Sequence, residues 1–508
     1  MSKAFIVHIS SEMTPLAKVG GLADMVGALA AEQARRGHRV LVALPGYRSM
    51  PWPPGWRHEA WTGCEVPWGM GREPARFERA TDPSGRLDVL VVHHAGERRF
   101  FERPGIYDDP ATGEGYPDNP ERWLFFCRAA LEGIQLLGER FDMLHAHDHQ
   151  AAWAPCFVRT QVADTHAFRD IATLFTIHNL GYQGLTDAWV LGLAGIPLEH
   201  FTPGGPFEFW GRVNYMKVGI AFADLLSTVS PRYAREIQSS GEFGFGMEGV
   251  LERRGADLRG ILNGIDDREW NPADDPYLPA PYDAAHLKGK AASRQVLAEA
   301  CGFPADDAPI VGMVSRLVEQ KGFDLIEQAA DELLGLEARF VVLGVGQPNY
   351  EDLLRRLAAG HPGRLHFRPQ RDDRFAHLIE AGSDLLLMPS RYEPCGLNQM
   401  YSMRYGTVPV VHAVGGLADT VEEFDVIARR GTGFTFQGYE AAEMLGALRR
   451  SLAIHRQPEL WAALQKNGMS RDFSWRVSAD GYDRLYADAR ARVASGRVPT
   501  LESLRAGI

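Results

Sequence analysis

Two lysines and an arginine lie in loops that could bind an anionic group. Lys18 precedes a Gly20-Gly21 pair, and Arg316 and Lys321 lie five positions apart around a turn. An arginine can hold two phosphate oxygens at once, whereas a lysine acts as a mobile point charge. Surface cations are more often simply solvated. The position of Arg316 and Lys321 after a predicted strand favours binding, and both could reach one diphosphate.

The second half of the chain contains two predicted strand-to-helix turns close together. Leu385–Met388 is short and apolar enough for a buried strand, and Asn398 could cap the helix that follows. Val408–Val411 is predicted as the next strand, which ends at Gly415 and Gly416 before another helical segment. Because helix N-termini present backbone N–H groups and partial positive charge, this arrangement suits a phosphate ester.

Glu393 lies in the first of these turns and does not suit a phosphate. A carboxylate beside an anion site is better suited to accept hydrogen bonds from the hydroxyls of an attached group, such as a sugar. The alternative is an ordinary crossover whose glycines only form turns. An internal echo weakens that alternative: VGGLADMV, residues 19–26, matches VGGLADTV, residues 414–421, at seven of eight positions. Both copies are predicted at helix starts.

These residues resemble the motifs of a known family. Lys18-Val19-Gly20-Gly21-Leu22 resembles the Lys-x-Gly-Gly-Leu motif of bacterial glycogen synthases and plant starch synthases, glycosyltransferase family 5. Glu393 to Gln399, with Gly415-Gly416-Leu417, is similar to the second signature of that family. The resemblance runs over nearly the whole chain.

The resemblance implies an α/β protein of the GT-B fold, with two doubly wound parallel-sheet, Rossmann-like domains and an interdomain cleft. It implies a retaining glycosyltransferase that moves glucose from ADP-glucose to the non-reducing end of an α-1,4-glucan in glycogen biosynthesis. The expected partners are the ADP-glucose donor, with ADP as product, and a glycogen or maltooligosaccharide acceptor. No cofactor is expected.

The functional residues of the family can be carried over to matching positions of this sequence. Five residues have implied catalytic roles: Lys18, His178, Arg316, Lys321 and Glu393. All of these except His178 are also implied nucleotide-sugar contacts, together with Gly20, Gly21, Asp24, Asp148, Asn263, Cys395, Gly396, Leu397, Gly415 and Gly416. Upstream of Glu393, many family members carry a tyrosine that stacks on the nucleotide base, and this chain has Arg371 there. A guanidinium can also stack on a base, so the base is left open.

A polar, aromatic loop region in the first half is a candidate acceptor-binding surface. Tyr107 supplies a ring that can stack on a sugar, and Asp118 and Asn119 supply groups that can bond to hydroxyls. An ordinary surface loop rich in glycine and proline is the alternative that stays open.

The run His145-Ala146-His147-Asp148-His149 could place its histidines on one face of a strand, as metal ligands often are. We predict no metal, because no second cluster supplies ligands and the cationic residues already neutralise a diphosphate. Asp148, at the strand tip, is expected to bond to loop backbone or to substrate.

Strand-like and helix-like segments alternate along both halves, which predicts two parallel sheets with right-handed crossovers. A proline-rich excursion, 271–283, follows the boundary between them. We place an acceptor-side domain at 1–255 and a nucleotide-sugar-binding domain at 256–475. By analogy with the family, 476–508 is expected to be a helical tail that returns to the first domain.

Composition narrows the possible partners and the compartment. The 508 residues are 45% hydrophobic and 23% charged, which is ordinary for a soluble globular protein. The net charge of −11 argues against nucleic acid or an anionic membrane as the main partner. No apolar run approaches the ~20 residues that span a bilayer. Five scattered cysteines, and a strand rather than a signal peptide at the start, fit a reducing cytoplasm.

Two other functions remain as alternatives. A nucleotide-sugar epimerase on a similar double fold would need no polymer acceptor, so it would not bind glycogen. A non-catalytic glucan-binding relative would not need Lys18, Arg316, Lys321 and Glu393, because a neutral polymer offers no charge to neutralise.

Overall fold

A computed structural model describes residues 3–504, which form two compact units. Of these residues, the first unit comprises 3–229, 234–264 and 475–504, and the second comprises 230–233 and 265–474. The main changeovers therefore lie at 264/265, nine residues after the predicted 255/256, and at 474/475, one residue before the predicted 475/476.

The first unit contains a nine-stranded sheet and a separate three-stranded sheet. Its strands are β1 (Phe5–Ile9), β2 (Arg39–Pro45), β3 (Arg57–Trp68), β4 (Gly71–Thr81), β5 (Leu87–His94), β6 (Met143–His147), β7 (Ala172–Ile177), β8 (Leu185–Thr186), β9 (Glu208–Phe209), β10 (Arg212–Asn214), β11 (Leu225–Thr228) and β12 (Leu258–Gly260). The large sheet has the order β12-β11-β7-β6-β1-β2-β5-β4-β3, and the small sheet β8-β10-β9.

The large sheet is parallel from β12 to β5, as the alternation of strands and helices predicts. The β3–β4 hairpin then extends the same sheet in antiparallel pairing. The sequence suggests only an excursion with its own hairpins there. The difference arises because β4 continues its hydrogen bonds directly onto β5, so the hairpin joins the sheet.

The helices up to residue 264 cover or connect these strands. They are α1 (Gly21–Arg35), α2 (Asn119–Leu136), α3 (Asp148–Ala151), α4 (Trp153–Phe157), α5 (Trp189–Leu193), α6 (Tyr215–Phe222), α7 (Pro231–Glu236), α8 (Gly241–Gly244) and α9 (Glu248–Arg253). In α1, Leu22, Met25, Val26 and Leu29 recur at the helical period and are buried. The apolar face of α1 therefore packs into the core of the first unit.

The second unit is an all-parallel sheet with the order β15-β14-β13-β16-β17-β18. Its strands are β13 (Ile310–Val314), β14 (Arg339–Leu343), β15 (Leu365–Arg368), β16 (Leu385–Met388), β17 (Val408–His412) and β18 (Phe434–Phe436). Its helices are α10 (Lys288–Cys301), α11 (Phe323–Gln328), α12 (Ala330–Gly335), α13 (Pro348–Gly360), α14 (Asp373–Gly382), α15 (Asn398–Arg404), α16 (Gly415–Thr420), α17 (Ala441–His455) and α18 (Pro458–Met469). The prediction of two Rossmann-like sheets is confirmed.

The tail forms the long helix α19 (Trp475–Ala494) and the short helix α20 (Leu501–Leu504). One face of α19 enters the core of the first unit through Trp475, Tyr482, Leu485 and Tyr486. Within residues 3–504, the structure contains no helix that is both long and apolar enough to cross a bilayer.

The buried face of α19 gives a stability test. Tyr482 is 0% exposed, so Tyr482→Ala leaves a cavity and should lower the free energy of unfolding of the first unit by about 3–5 kcal/mol. Val477 on the same helix is 51% exposed, so Val477→Ala should change that free energy by less than ~0.5 kcal/mol. Urea unfolding curves measure both variants, and equal midpoints for the two would contradict the packing of α19.

Candidate active site

The carboxyl ends of the strands of the second unit place Lys321 against Glu393. The Lys321 ammonium lies 2.5 Å from Glu393 Oε2, and the Ser390 hydroxyl donates to the same oxygen at 3.0 Å. The two charged side chains are only 19% and 7% exposed. Removal of either side chain would leave the other as an unpaired buried charge, which is strongly destabilising. The ion pair therefore holds both side chains in place. Glu393 is therefore a buried, oriented carboxylate.

The main chain around Glu393 is held by the glycine turn before α16. The Gly416 N–H donates to the Glu393 carbonyl oxygen at 3.0 Å. A Cβ on Gly415, whose φ is +44°, would lie 1.9 Å from that oxygen, and a Cβ on Gly416 would lie 2.0 Å from the Cys395 carbonyl oxygen. Both glycines are thus required by close packing of the two turns. Gly396, with φ +70°, and Leu397 complete the Glu393 loop.

In the second unit, Arg316 is exposed and Asn398 is hydrogen-bonded to a neighbouring strand. The guanidinium of Arg316 is exposed just after β13 and has no hydrogen-bond or ion-pair partner within residues 3–504, so it is available to an anion. Asn398 was predicted to cap a helix, and this prediction is wrong. Leu397 is the N-cap, and Asn398 is the first residue of α15. The Asn398 amide instead donates to the Val314 carbonyl oxygen at 2.7 Å, which ties α15 to β13.

In the first unit, Lys18 pairs with Asp24 across the start of α1. Their charged atoms are 2.7 Å apart, and the Lys18 side chain is 52% exposed. An exposed pair of this kind contributes little to stability and opens readily. Gly20 is the N-cap of α1 and Gly21 its first residue. Lys18, Gly20, Gly21 and Asp24 therefore lie together at the start of α1, and their contact with a nucleotide sugar stays a prediction.

A carboxylate that the sequence did not single out shapes this loop. Glu12 is 3% exposed and accepts hydrogen bonds from the backbone N–H groups of Val19 and Gly20. Its other oxygen accepts from the Tyr107 hydroxyl at 2.5 Å. Burial raises the pKa of Glu12 above its usual value. Its place in the loop after β1, at the carboxyl edge of a predicted parallel sheet, is the signal that could have identified it.

The three predicted acceptor contacts are held by hydrogen bonds and an ion pair, and those of Tyr107 reach the loop after β1. Besides Glu12, the Tyr107 hydroxyl bonds to the Ser11 hydroxyl at 2.8 Å. The Asn119 amide donates to the Tyr107 carbonyl oxygen at 2.9 Å, and Asp118 forms a two-pronged ion pair with Arg103. The loop is therefore an ordered polar surface, with a role in acceptor binding still a prediction.

His178 and Asp148 meet at the ends of β7 and β6. The His178 backbone N–H donates to Asp148 Oδ1 at 2.7 Å, so Asp148 bonds to loop backbone, the first of its two predicted roles. Asp148 adopts φ +54°, and burial raises its pKa to about 7. The His178 ring is 8% exposed, and burial lowers its pKa to about 3. His178 is therefore a neutral imidazole at physiological pH.

The histidines of β6 have a neighbour that the sequence argument overlooked. His8 of β1 pairs in register with His145, and ring nitrogens of His8, His145 and His147 lie within 4.8 Å of one another. The statement that no second cluster supplies ligands is therefore wrong. The ring nitrogens of these three residues are, however, all engaged in hydrogen bonds with other side chains. His149 lies apart and bonds to the Tyr182 carbonyl oxygen.

Asn263 and Arg371 are the two remaining candidates for contact with the nucleotide sugar. Asn263 is 6% exposed, and its Oδ1 has no hydrogen-bond partner among the residues that the structure describes. A buried acceptor without a partner is costly unless a ligand or water bonds to it. Arg371 is exposed in the loop between β15 and α14.

The two parallel sheets and the family matches over both units define a glycosyltransferase with two Rossmann-like domains. Residues 5–253 match the model of the starch synthase catalytic domain, and 302–471 match that of glycosyl transferases group 1. The chain is 45% identical to a glycogen synthase of Koribacter versatilis, over 96% of this chain and 98% of that protein. It is 44% identical to one of Anaeromyxobacter sp., over 96% and 99%. The chain belongs to the glycogen and starch synthase family.

Two solved structures are similar to this chain, one in sequence and fold and the other in fold only. The catalytic domain of starch synthase IV from Arabidopsis thaliana, bound to ADP and acarbose, superimposes with a TM-score of 0.88 at 34% identity, covering 97% of this chain and all of that one. Sucrose-phosphate synthase from Thermosynechococcus elongatus has a TM-score of 0.60 at 19% identity, covering 96% of this chain, and supports the fold alone.

The two copies of the Gly-Gly motif should respond differently to an added methyl group. A Cβ on Gly20, which has φ −148°, meets nothing within 4 Å, so Gly20→Ala should leave the melting temperature unchanged. If a ligand approaches this turn, the same variant should lose roughly tenfold in transfer rate. Gly416→Ala should lower the free energy of unfolding by about 1–3 kcal/mol, because its Cβ meets the Cys395 backbone.

Calorimetry and initial rates on both variants test this contrast. A Gly20→Ala protein with normal rate and normal stability would mean that the first turn contacts no ligand.

Proposed function

We propose that this protein transfers glucose from ADP-glucose to the non-reducing end of an α-1,4-glucan with retention of configuration. The observation that carries the proposal is the buried Glu393, held by Lys321 and Ser390 beside the Gly415-Gly416 turn. An oriented carboxylate next to a lysine and an open Arg316 suits a ligand with hydroxyls at one end and phosphates at the other.

In the reaction, the bond between glucose C1 and the β-phosphate oxygen breaks. A bond forms between C1 and the 4-oxygen of the acceptor, whose proton passes to the departing phosphate. The charge that builds up on the diphosphate is stabilised by Arg316, Lys321 and Lys18. Because a lysine and a serine already bond to Glu393, the carboxylate is better suited to hold the 3- and 4-hydroxyls of glucose than to attack C1. The departing phosphate then assists attack from the same face, which accounts for retention.

Several other residues have narrower roles in this proposal. Lys18 leaves its exposed pair with Asp24 to reach the diphosphate, which an exposed pair can do at little cost. His178, neutral and nearly buried, contacts the 6-hydroxyl side of glucose. Asn263 bonds to the donor through its unpartnered oxygen. The loop with Tyr107, Asp118 and Asn119 contacts the acceptor, glycogen or a maltooligosaccharide.

Adenine is the proposed base of the donor. Support comes from the Arabidopsis starch synthase IV domain, which was solved with ADP. Arg371 replaces the tyrosine common in the family, and its exposed guanidinium can stack on adenine. We place the reaction in the cytoplasm. All five cysteines lie in the described residues, and none of them forms a disulfide, which agrees with a reducing compartment.

A donor comparison tests the proposal. The purified protein is given ADP-, UDP- or GDP-glucose with glycogen in a buffer that contains EDTA, and chain extension is measured. We expect extension with ADP-glucose at a rate that EDTA does not change, because cationic side chains neutralise the diphosphate in place of a metal ion. An epimerase would convert the donor without glycogen. A glucan-binding relative would bind glycogen without turnover.

Glu393→Gln tests the carboxylate with a side chain of the same size. It keeps the size of the side chain and an acceptor oxygen for Ser390 and Lys321, whereas Glu393→Ala would leave a nearly buried ammonium unpaired. We expect at least about a hundredfold loss of rate, since a charge-assisted hydrogen bond in a dry site contributes roughly 2.7–4 kcal/mol to transition-state stabilisation. Near-normal turnover would remove Glu393 from the site.

The two lysines should affect different kinetic constants. Lys321 pairs with Glu393 and, like Arg316, follows β13 in the second unit, so Lys321→Ala should weaken ADP binding as well as lower kcat. Lys18 is exposed, and Lys18→Ala should lower kcat while changing the dissociation constant for ADP by less than about threefold. Calorimetric titration with ADP and steady-state rates separate the two effects. A Lys18→Ala protein with parental kcat would mean that Lys18 is only a surface residue.

A further inference from the structure

A chain of buried hydrogen bonds begins at His178 and runs into the first unit. His178 Nε2 lies 3.1 Å from His147 Nδ1, and His147 Nε2 lies 3.0 Å from His8 Nδ1. His8 Nε2 lies 2.8 Å from Gln33 Oε1. The chain therefore crosses from the end of β7 through β6 and β1 to helix α1, whose first turn carries the Gly20-Gly21 motif.

The chain continues on the other side of Gln33. The Gln33 Nε2 donates to the Tyr486 hydroxyl at 2.9 Å, and that hydroxyl lies 2.8 Å from His145 Nδ1. His145 Nε2 then bonds to Thr176 at 2.5 Å. His8, Gln33, His145, His147 and Thr176 are all 0% exposed, and Tyr486 is 4% exposed. Among the described residues, no water-exposed group interrupts this series of hydrogen bonds.

Each bond in the chain decides the direction of the next. Because an amide oxygen only accepts, His8 must donate from Nε2, so His8 Nδ1 carries a lone pair. His147 must then donate from Nε2, which leaves its Nδ1 as an acceptor. His178 in turn must donate from Nε2, and its Nδ1 carries the lone pair.

This reasoning requires neutral imidazoles, and their burial supplies that condition. Burial lowers the pKa of His8 to about 4 and that of His178 to about 3, and it places the pKa of His147 well below its usual value. At pH 7 each ring therefore carries one proton, and a neutral ring that donates at one nitrogen must accept at the other.

We propose that Gln33 is a positioning residue that fixes the tautomer of His178 through His8 and His147, so that Nδ1 of His178 is a hydrogen-bond acceptor. This inference deepens the proposed function, on which its catalytic part rests. An Nδ1 lone pair can accept a hydrogen bond from a hydroxyl of the transferred glucose. The opposite tautomer would present an N–H and would prefer a carbonyl or phosphate oxygen.

A divalent metal held by His8, His145 and His147 is the competing use of these residues. It would need lone pairs from rings whose nitrogens already bond to Gln33, Tyr486, Thr176 and one another. Binding would therefore break several buried hydrogen bonds in the described core, each of which would leave a group unpaired.

The test uses the full-length enzyme labelled with ¹⁵N-histidine. Two-bond ¹H–¹⁵N correlation spectra at pH 7, without substrate, report which nitrogen of each ring is protonated, and loss of one signal set in His178→Gln assigns His178. We expect His178 to be protonated at Nε2 only. Gln33→Met removes the amide oxygen that accepts from His8 Nε2, so the tautomers of the three rings are no longer fixed. The His178 signals should then move towards an average of both tautomers. The kcat should fall roughly fivefold, with less than twofold change in the KM for ADP-glucose.

Gln465→Met is the matched control. Gln465 is a buried glutamine of the second unit whose Nε2 bonds to the Gly406 carbonyl oxygen at 2.8 Å, outside the chain. This variant should leave the His178 spectrum and kcat unchanged, which separates a tautomer effect from a loss of buried polarity.

Three results would overturn the proposal. They are protonation of His178 at Nδ1 in the parent enzyme, an unchanged single tautomer in Gln33→Met, or a stoichiometric shift of the His8, His145 and His147 signals on addition of Zn²⁺. The spectra need no substrate. If they agree with the expected tautomer but the protein transfers no glucose from any donor, the proposed function fails and the hydrogen-bond chain stands.

Discussion

The parallel pairing of β1 with β6 at the centre of the nine-stranded sheet is the constraint on which the first unit depends. Its register sets His8 beside His145, two imidazoles in a core where neither can reach water. Buried imidazoles are compatible with a stable fold only if their ring nitrogens are hydrogen-bonded, because an unpaired buried donor is destabilising. His147 of β6, the glutamine of α1, the tyrosine of α19 and the threonine of β7 supply the partners.

The same strand leads directly into the loop that carries Lys18. β1 ends at Ile9, and three residues later Glu12 turns back to hold the N–H groups of Val19 and Gly20. Burial of β1 and orientation of the Lys18 loop are therefore linked by a short length of chain. We expect changes in the core beneath β1 to alter the loop, and through the imidazoles also His178.

Two nearly identical octapeptides are stabilised by different interactions in the two units. At the first copy, a buried carboxylate orients the loop and the space around Gly20 is open. At the second, the Gly415-Gly416 turn packs against the Glu393 loop so closely that no side chain fits. In the first copy, glycine leaves open space beside the turn, and in the second it allows two turns of the chain to approach each other. The motif alone does not distinguish these uses.

The sequence by itself determined the two sheets, most strand positions, the family and the separate residue groups around Lys18 and Glu393. These follow from local signals: short apolar runs, glycine turns and spaced motifs, which depend on neighbours in the chain. Only the tertiary structure decided that Glu12 orients the first loop, that Lys321 pairs with Glu393, and that His8, Gln33 and Tyr486 meet. Gln33 and Tyr486 lie 453 positions apart. Their contact arises from strand register and helix packing, so no local pattern could reveal it.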